Sequence, residues 1–304
     1  MNKSELGFGT WQAGPSHGFW TDGNVQASKA TLREAFSSSF THFDTAPSYG
    51  NGRSEQLLGS FLAQKSNRMD LTIATKFMPK TPALVTKDVH TSLSRLKTDY
   101  IDVLYLHWPS SQIDLKPIMI AVQDLQAQQL VRSIGISNTP LSLLRTLEEF
   151  PISCIQLPCS LIWTRSVREI REYAKQRGIA LVGYSPLGLG LLSGQHSTPP
   201  EDSRRTLYVY QGSSYQAFQA LLSTLKTLAT EKGCNMAQLS LLWAQSQGCE
   251  VILTGARNPN QLKELTATRP LFLEEQEKSL LDEKATQLEA TIPPQWDNLF
   301  GYRW

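Results

Sequence analysis

The chain has 304 residues, 40% of them hydrophobic and 18% charged, an ordinary globular composition that suffices for one α/β barrel or two modest domains. Its 29 basic residues nearly balance its 27 acidic residues without a basic run, which argues against nucleic acid or a membrane surface as the main partner. No signal peptide or membrane-spanning stretch is visible and the four cysteines lack CxxC spacing, so we expect a cytoplasmic protein with free thiols.

The hydrophobic pattern predicts eight strands that mostly alternate with helices. The strands are expected near residues 6, 41, 72, 102, 133, 154, 180 and 251. The helices are expected at 25–36, 54–65, 86–96, 115–128, 140–149, 165–176, 214–231, 236–247, 259–266 and 274–289. Ser54 is the expected N-cap of the second helix, and residues 195–213 are expected to form an irregular insertion. The alternation predicts one α/β domain over 1–304, a single parallel (β/α)8 TIM barrel with extra C-terminal helices.

Three of the predicted strands end in polar side chains. Asp44 ends the strand near residue 41, and Tyr49 follows five residues later in a turn. Lys76 and His107 end the next two strands. Because the carboxyl ends of the strands of a parallel barrel meet at one rim, we expect these four side chains to lie together there.

These four residues suit proton transfer to an oxygen atom. Tyrosine is a poor acid with a free pKa of about 10, and we expect a nearby Lys76 ammonium to lower the pKa of Tyr49. Asp44 is expected to pair with Lys76, and His107 to donate to the same substrate oxygen. Such a cluster can polarise a carbonyl and protonate the alkoxide left by a hydride, but a cofactor must supply that hydride. Each residue alone also suits a structural role, as a turn residue, a loop aromatic, a solvated lysine or a core histidine.

Several motifs carry a resemblance to a known family. They are Gly7-Phe8-Gly9-Thr10-Trp11, Phe43-Asp44-Thr45-Ala46-Pro47-Ser48-Tyr49-Gly50, Ala74-Thr75-Lys76, Leu106-His107-Trp108-Pro109, Gly135-Ile136-Ser137-Asn138, Tyr184-Ser185-Pro186-Leu187 and Gly255-Ala256-Arg257. In this order and spacing the chain resembles the aldo-keto reductases, particularly the branch similar to bacterial reductases and potassium-channel β-subunits. The resemblance implies NADPH-dependent reduction of a small carbonyl compound, with Tyr49 as the general acid and Asp44, Lys76 and His107 completing a catalytic tetrad.

The resemblance also implies a binding site for NADPH or NADP+. Ser137, Asn138 and Gln156 would hold the nicotinamide carboxamide, and Tyr184 would stack on the ring. Arg257, assisted by Gln261, would face the adenosine 2′-phosphate, which favours NADPH over NADH. The full implied set is Gly9, Thr10, Trp11, Asp44, Ser137, Asn138, Gln156, Tyr184, Ser185, Pro186, Leu187, Gly188, Gly194, Gly255, Ala256, Arg257, Gln261 and Glu264.

The sequence departs from the family pattern at three places. Leu265 follows Glu264 where an asparagine is expected, which puts one adenine hydrogen bond in question. Only about five residues precede Leu6, too few for the N-terminal hairpin that closes the barrel floor in relatives. The aromatic tail from Trp296 to Trp304 matches no motif, and pocket lining, packing on the outside and partner binding all stay open for it.

The expected substrate pocket is aromatic, which weakly favours aromatic or apolar carbonyl compounds over sugars. Its expected residues are Trp11, Phe19, Trp20, Tyr49, Phe77, His107 and Trp108. Two other functions stay open. One is an NADPH-binding sensor or regulatory subunit with little turnover. The other is a metal hydrolase, which is disfavoured because the five histidines include no HxH pair, so no metal site is expected.

Overall fold

Eight parallel strands close into one barrel. The computed structural model describes residues 4–13, 24–64, 68–195, 198–267 and 271–292. Each strand pairs in parallel with the next, and β1 also pairs with β8 to close the barrel. The strands are β1 Glu5–Gly9, β2 His42–Asp44, β3 Thr72–Phe77, β4 Ile101–Leu106, β5 Val131–Ser137, β6 Ile152–Pro158, β7 Ala180–Tyr184 and β8 Val251–Thr254. The predicted TIM barrel is therefore confirmed.

Helices surround this barrel. Over the described residues they are α1 Val25–Ser37, α2 Arg53–Leu62, α3 Pro82–Leu96, α4 Lys116–Ala127, α5 Leu141–Arg145, α6 Arg165–Arg177, α7 Gly212–Glu231, α8 Met236–Gln245, α9 Pro259–Thr266 and α10 Glu275–Glu289. Local capping interactions fix the positions of several helix ends. The Asn24 side chain caps α1 by accepting from two backbone N–H groups, and Gly178 ends α6 in the left-handed conformation.

Strand alternation separates two apolar layers. On β2, Phe43 points outward into the large core between barrel and helices, whereas His42 and Asp44 point into the barrel. A smaller cluster fills the barrel interior, with Ala74, Tyr105, Cys154, Val182 and Leu253 as its buried members. Interior positions at the carboxyl ends of the strands are polar instead, which places the chemistry at that end.

The lower end of the barrel interior is less well covered than the rest. Val103, Ala180 and Val251 pack on the inner cluster but are only half-buried, and so is Thr72 on β3. The aromatic tail, Phe19 and Trp20 lie outside the described residues.

Three local expectations were wrong. Helix α2 begins at Arg53 and its N-cap is Gly52, because the Ser54 hydroxyl is buried in hydrogen bonds with Thr10 and Thr45. Helix α5 ends at Arg145 instead of residue 149, since the chain tightens there into i to i−3 hydrogen bonds. Residues 195–213 are not irregular throughout, because they contain two 3-10 turns, Ser203–Thr206 and Tyr208–Tyr210.

Candidate active site

The four side chains expected at one rim do lie together. Lys76 Nζ donates to Asp44 Oδ1 at 2.5 Å and to the Thr45 carbonyl oxygen at 2.8 Å. The same nitrogen lies 4.9 Å from the centroid of the Tyr49 ring. The rings of Tyr49 and His107 meet edge to face, with centroids 5.9 Å apart. Consecutive parallel strands β2, β3 and β4 deliver three of these residues, and the turn after β2 delivers Tyr49.

The ion pair of Lys76 and Asp44 is almost completely buried, with 1% and 4% of the two side chains exposed. Burial lowers the pKa of Lys76, and the Asp44 carboxylate acts in the opposite direction by favouring the ammonium. The second oxygen of Asp44 accepts a hydrogen bond from Gln156 Nε2 at 2.8 Å. Asp44 therefore orients both a lysine and an amide that faces the cavity above it.

The expected direction of the Tyr49 pKa was wrong. Burial of the phenol and the negative charge of Asp44 hold the pKa of Tyr49 well above its usual value. The Lys76 ammonium, 4.9 Å from the ring centroid, favours the phenolate, but it is paired with Asp44 and the effect of burial is larger. Tyr49 is consequently a neutral phenol that can donate a proton at neutral pH.

His107 is buried and held through its backbone. Its N–H donates to the Phe77 carbonyl oxygen at 2.9 Å, and its carbonyl oxygen accepts from Asn138 Nδ2 at 3.0 Å. Burial and the charge of Lys76 lower the pKa of His107 well below its usual value. The imidazole is therefore neutral at physiological pH and carries one N–H donor, and His107 lines the cavity.

Asn138 connects His107 to the far side of the barrel. Its Nδ2 donates to His107 and also to Ser137 Oγ at 2.9 Å, while its Oδ1 accepts from Tyr184 OH at 2.6 Å. The backbone of Asn138 has a φ of +54°, in the left-handed region that asparagine enters more readily than most other non-glycine residues.

A tight turn follows β7. Ser185 and Leu189 have φ values of +53° and +58°, although neither is a glycine. At Gly188 the φ is +54°, and a Cβ there would approach Ile162 Cδ1 to 2.6 Å, so a larger residue would have to displace the Ile162 side chain. The turn therefore holds its backbone in an unusual shape along the cavity wall.

Several residues of the cavity were not predicted from the sequence, among them Arg204 and Gln12. Arg204 is buried, pairs with Asp202 at 2.7 Å and donates from NH1 to the Leu189 carbonyl oxygen at 2.9 Å. Gln12 covers Gly255, where a Cβ would lie 2.4 Å from its Oε1. The Asp-x-Arg spacing in the expected insertion was a weak signal for Arg204, whereas a lone glutamine in a loop gave no signal.

These groups share one cavity of about 1020 Å³. The expected residues that line it are Gly9, Trp11, Asp44, Tyr49, His107, Trp108, Asn138, Gln156, Tyr184, Ser185, Pro186, Leu187, Gly255, Ala256, Arg257, Gln261 and Glu264. Ser48, Asn51 and Arg53 line it near Tyr49, and Gln12 and Arg204 line it elsewhere. Thr10, Lys76, Ser137, Gly188 and Gly194 are not among its lining residues, so an effect of these residues on a ligand would be indirect.

The expectation that Phe77 lines the substrate pocket was wrong. Strand β3 continues through Phe77, and alternation turns its side chain away from Lys76 and out of the barrel. The ring is 2% exposed and belongs to the core between barrel and helices.

The far end of the cavity carries Arg257, which is exposed and precedes α9. Its backbone N–H donates to Gln261 Oε1 at 2.9 Å. Glu264 accepts a hydrogen bond from Asn235 Nδ2, and Leu265 is buried beside it. Among the described residues, no group of three His, Cys, Asp or Glu side chains is placed to hold a metal ion. No helix in the described part of the chain is long and apolar enough to cross a membrane.

With fold and site in place, comparison with known proteins identifies the family. The sequence profile of the Aldo/keto reductase family matches residues 5–286, so the chain belongs to that family. It is similar to aldo-keto reductase YhdN of Bacillus subtilis, at 29% identity over 283 residues that cover 88% of this chain and 85% of the relative.

Two further similarities cover most of the chain. The aldo-keto reductase yakc [NADP(+)] of Schizosaccharomyces pombe is 29% identical over 269 residues, which cover 82% of this chain and 79% of the relative. The structure of the glycerol dehydrogenase AKR11B4 from Gluconobacter oxydans superposes with a TM-score of 0.84 at 26% identity, covering 97% of this chain and 95% of that one.

Proposed function

We propose that this chain reduces aldehydes or ketones to alcohols with NADPH, and that Tyr49 is the general acid. The observation that carries the proposal is the buried pair of Lys76 and Asp44 beside the Tyr49 ring, in one cavity with His107. A neutral phenol and a neutral imidazole facing the same space suit a carbonyl oxygen that needs a hydrogen bond and then a proton.

The residues of the cavity fit a nicotinamide dinucleotide. The amides of Asn138 and Gln156 and the ring of Tyr184 lie beside the tetrad, where a carboxamide and its ring would bind. Ser185, Leu187 and Leu189 of the turn after β7 line the cavity, and the backbone N–H groups of such a turn would suit a pyrophosphate. The exposed guanidinium of Arg257 suits a 2′-phosphate, and the relative yakc is described as an NADP(+) enzyme.

When bound, NADPH supplies the hydride that reduces the carbonyl carbon. The N–H of His107 orients the carbonyl oxygen by donating to it, and Tyr49 transfers its phenolic proton to that oxygen as negative charge develops. The Lys76 ammonium stabilises the Tyr49 phenolate that results, and Asp44 keeps this ammonium charged. A proton from solvent then restores the phenol. Trp11 and Trp108 line the same cavity and exclude water from the reacting atoms.

The walls near Tyr49 set the substrate class. Trp11 and Trp108 favour carbonyl compounds with an apolar or aromatic group. Ser48, Asn51 and Arg53 add a polar side to the same region. We therefore expect aromatic aldehydes to be reduced faster than sugars, and an aromatic aldehyde that carries a carboxylate to be accepted as well.

The test is NADPH oxidation, followed by absorbance, over a panel of aldehydes, ketones and sugars, with NADH as a parallel donor. Wild type and Tyr49→Phe are compared, and calorimetry measures NADPH binding to both. We expect turnover to fall by about 100-fold or more in the variant, with NADPH affinity within about twofold of wild type. Tight NADPH binding without turnover by wild type would favour the sensor or regulatory subunit, and no binding of either nucleotide would refute the cofactor assignment.

A further inference from the structure

A second buried carboxylate, Glu55, lies behind the proposed active site. It is on α2, six residues after Tyr49, and none of its surface is exposed. Glu55 Oε1 accepts from Thr75 Oγ1 at 2.8 Å, and Glu55 Oε2 pairs with Arg95 NH1 at 3.2 Å. Thr75 directly precedes Lys76, so one carboxylate ties the helix that follows Tyr49 to the strand that carries Lys76.

Arg95 extends this connection to the loop of Tyr49. Gly52, in that loop, packs so closely on Arg95 that a Cβ would lie 2.5 Å from the guanidinium carbon. The φ of Gly52 is +85°, which also favours glycine there. The backbone N–H of Ser54 then donates to the Tyr49 carbonyl oxygen at 3.3 Å. The first turn of α2 therefore holds the backbone of Tyr49 directly.

We propose that Glu55 is a positioning residue for proton transfer. Its carboxylate, held between Thr75 and Arg95, sets the position of Tyr49 relative to Lys76. This inference rests on the proposed function, because it assigns Glu55 a role only if Tyr49 and Lys76 carry the proton. A displacement of about 1 Å in the position of a reacting group such as Tyr49 can lower the rate on the order of 100-fold.

The negative charge of Glu55 also affects the pKa of Lys76. Burial lowers the pKa of Lys76, and both Asp44 and, more weakly, Glu55 act to raise it. Removing the charge of Glu55 therefore lowers the pKa of Lys76, so the lysine loses its proton at a lower pH. The other titratable or charged groups that face this lysine or its partner are His42 and Asp44 on β2, Tyr49 after it, Arg95 on α3 and His107 after β4.

The decisive variant is Glu55→Gln, which keeps the size of the side chain and an acceptor for Thr75. We expect kcat for NADPH-dependent reduction to fall by about 10- to 100-fold, with KM for NADPH within about twofold. The alkaline limb of the kcat profile is expected to move to lower pH. Calorimetric NADPH binding, measured on the same samples, shows that the cofactor site is intact.

The matched control is Glu289→Gln. Glu289 accepts from Thr164, Arg165 and Arg168, and so ties α10 to α6 far from the tetrad. Its loss is expected to lower the free energy of unfolding but to leave kcat and the pH profile unchanged. A folded Glu55→Gln variant with the kcat and pH profile of wild type would overturn the proposal.

A second pair of variants tests the positioning role of Glu55 if Glu55→Gln does not fold. Thr75→Val removes the hydroxyl that donates to Glu55, and Thr75→Ser retains it. We expect the valine variant to lose kcat by about 10-fold and the serine variant to stay within about twofold of wild type. Equal kcat in both variants would also overturn the proposal. The collapse of turnover in Tyr49→Phe is a separate result, so failure of the Glu55 proposal leaves the proposed function intact.

Discussion

The two sides of the cavity are built in different ways. On the side of β2 to β4, buried side chains hold each other in place through short polar contacts, such as the one between Lys76 and Asp44. On the side of β7 and β8, the wall includes a turn in which Ser185 and Leu189 have left-handed backbone conformations, and the exposed Arg257 lies at its end. Proposed chemistry thus depends on which side chains are present, whereas proposed binding depends mainly on the shape of the backbone.

This difference implies different sensitivities to mutation. A change among the buried charges leaves an unpaired group in a low-dielectric site, which costs stability as well as rate. A change at an exposed residue of the binding side, such as Arg257, is expected to leave the fold intact and to alter affinity. Two variants and one pH dependence distinguish the two kinds of effect, from the largest expected change to the smallest.

The largest effect is expected from Lys76→Met. Asp44 then keeps a buried negative charge without its ammonium partner, so the free energy of unfolding should fall by about 3–5 kcal/mol. Turnover should fall by about 1000-fold, because the phenolate of Tyr49 loses its stabilising charge. Urea unfolding and NADPH oxidation measure the two losses. In the double variant Asp44→Asn/Lys76→Met stability should partly return while turnover does not, and parallel recovery of both would contradict separate roles in folding and chemistry.

An intermediate effect is expected from Arg257→Gln. The variant loses a charge-assisted contact with a 2′-phosphate, a contact usually worth about 1.5–3 kcal/mol. NADPH should therefore bind about 10- to 100-fold more weakly, with NADH affinity and the unfolding free energy unchanged. Arg33→Gln, an exposed arginine on α1 outside the cavity, is the control. An equal loss of affinity for both nucleotides would mean that Arg257 does not read the 2′-phosphate.

The smallest effect is expected from the pH dependence of stability. Burial lowers the pKa of His42, and burial with Lys76 lowers that of His107, so both bind protons more readily in the unfolded chain. The free energy of unfolding should thus be maximal, with respect to these groups, above about pH 6.5, and it should fall below that value by at most about 1.4 kcal/mol per pH unit for each group. Urea unfolding between pH 8 and 5 should show a shallower decline for His42→Gln. An unchanged slope would exclude His42 as a contributor.

The sequence predicted the buried side of the cavity best. Residue identity and strand ends were enough to place Asp44, Lys76 and His107 at one rim, because parallel barrel strands all deliver their carboxyl ends there. The same reasoning misplaced Phe77, since it ended β3 one residue early and so lost the alternation that turns this ring outward. It also gave the wrong direction for the Tyr49 pKa, because the extent of burial is a property of the folded structure.

The binding residues on the side of β7 and β8 could be predicted only from the resemblance to the family. The residue types at positions 185 and 189, serine and leucine, do not indicate a positive φ. The positive φ of Ser185 and Leu189 arises from the tertiary structure around the turn. Arg204 was missed for a related reason. It lies in a polar segment that looked like an insertion, yet its guanidinium is buried against the Leu189 carbonyl oxygen. The start of α2 was misplaced because Ser54 had stronger tertiary partners than a helix end.

The contact between Arg204 and Leu189 has a kinetic consequence. It links the turn after β7 to the segment around Asp202, and this buried cross-link is weakly screened by salt. The two segments must therefore shift together whenever the turn opens, and an opening of coupled segments is slower than the fluctuation of a free loop. Exchange of the proposed nucleotide past this wall is accordingly expected to be slower than the motion of a free loop.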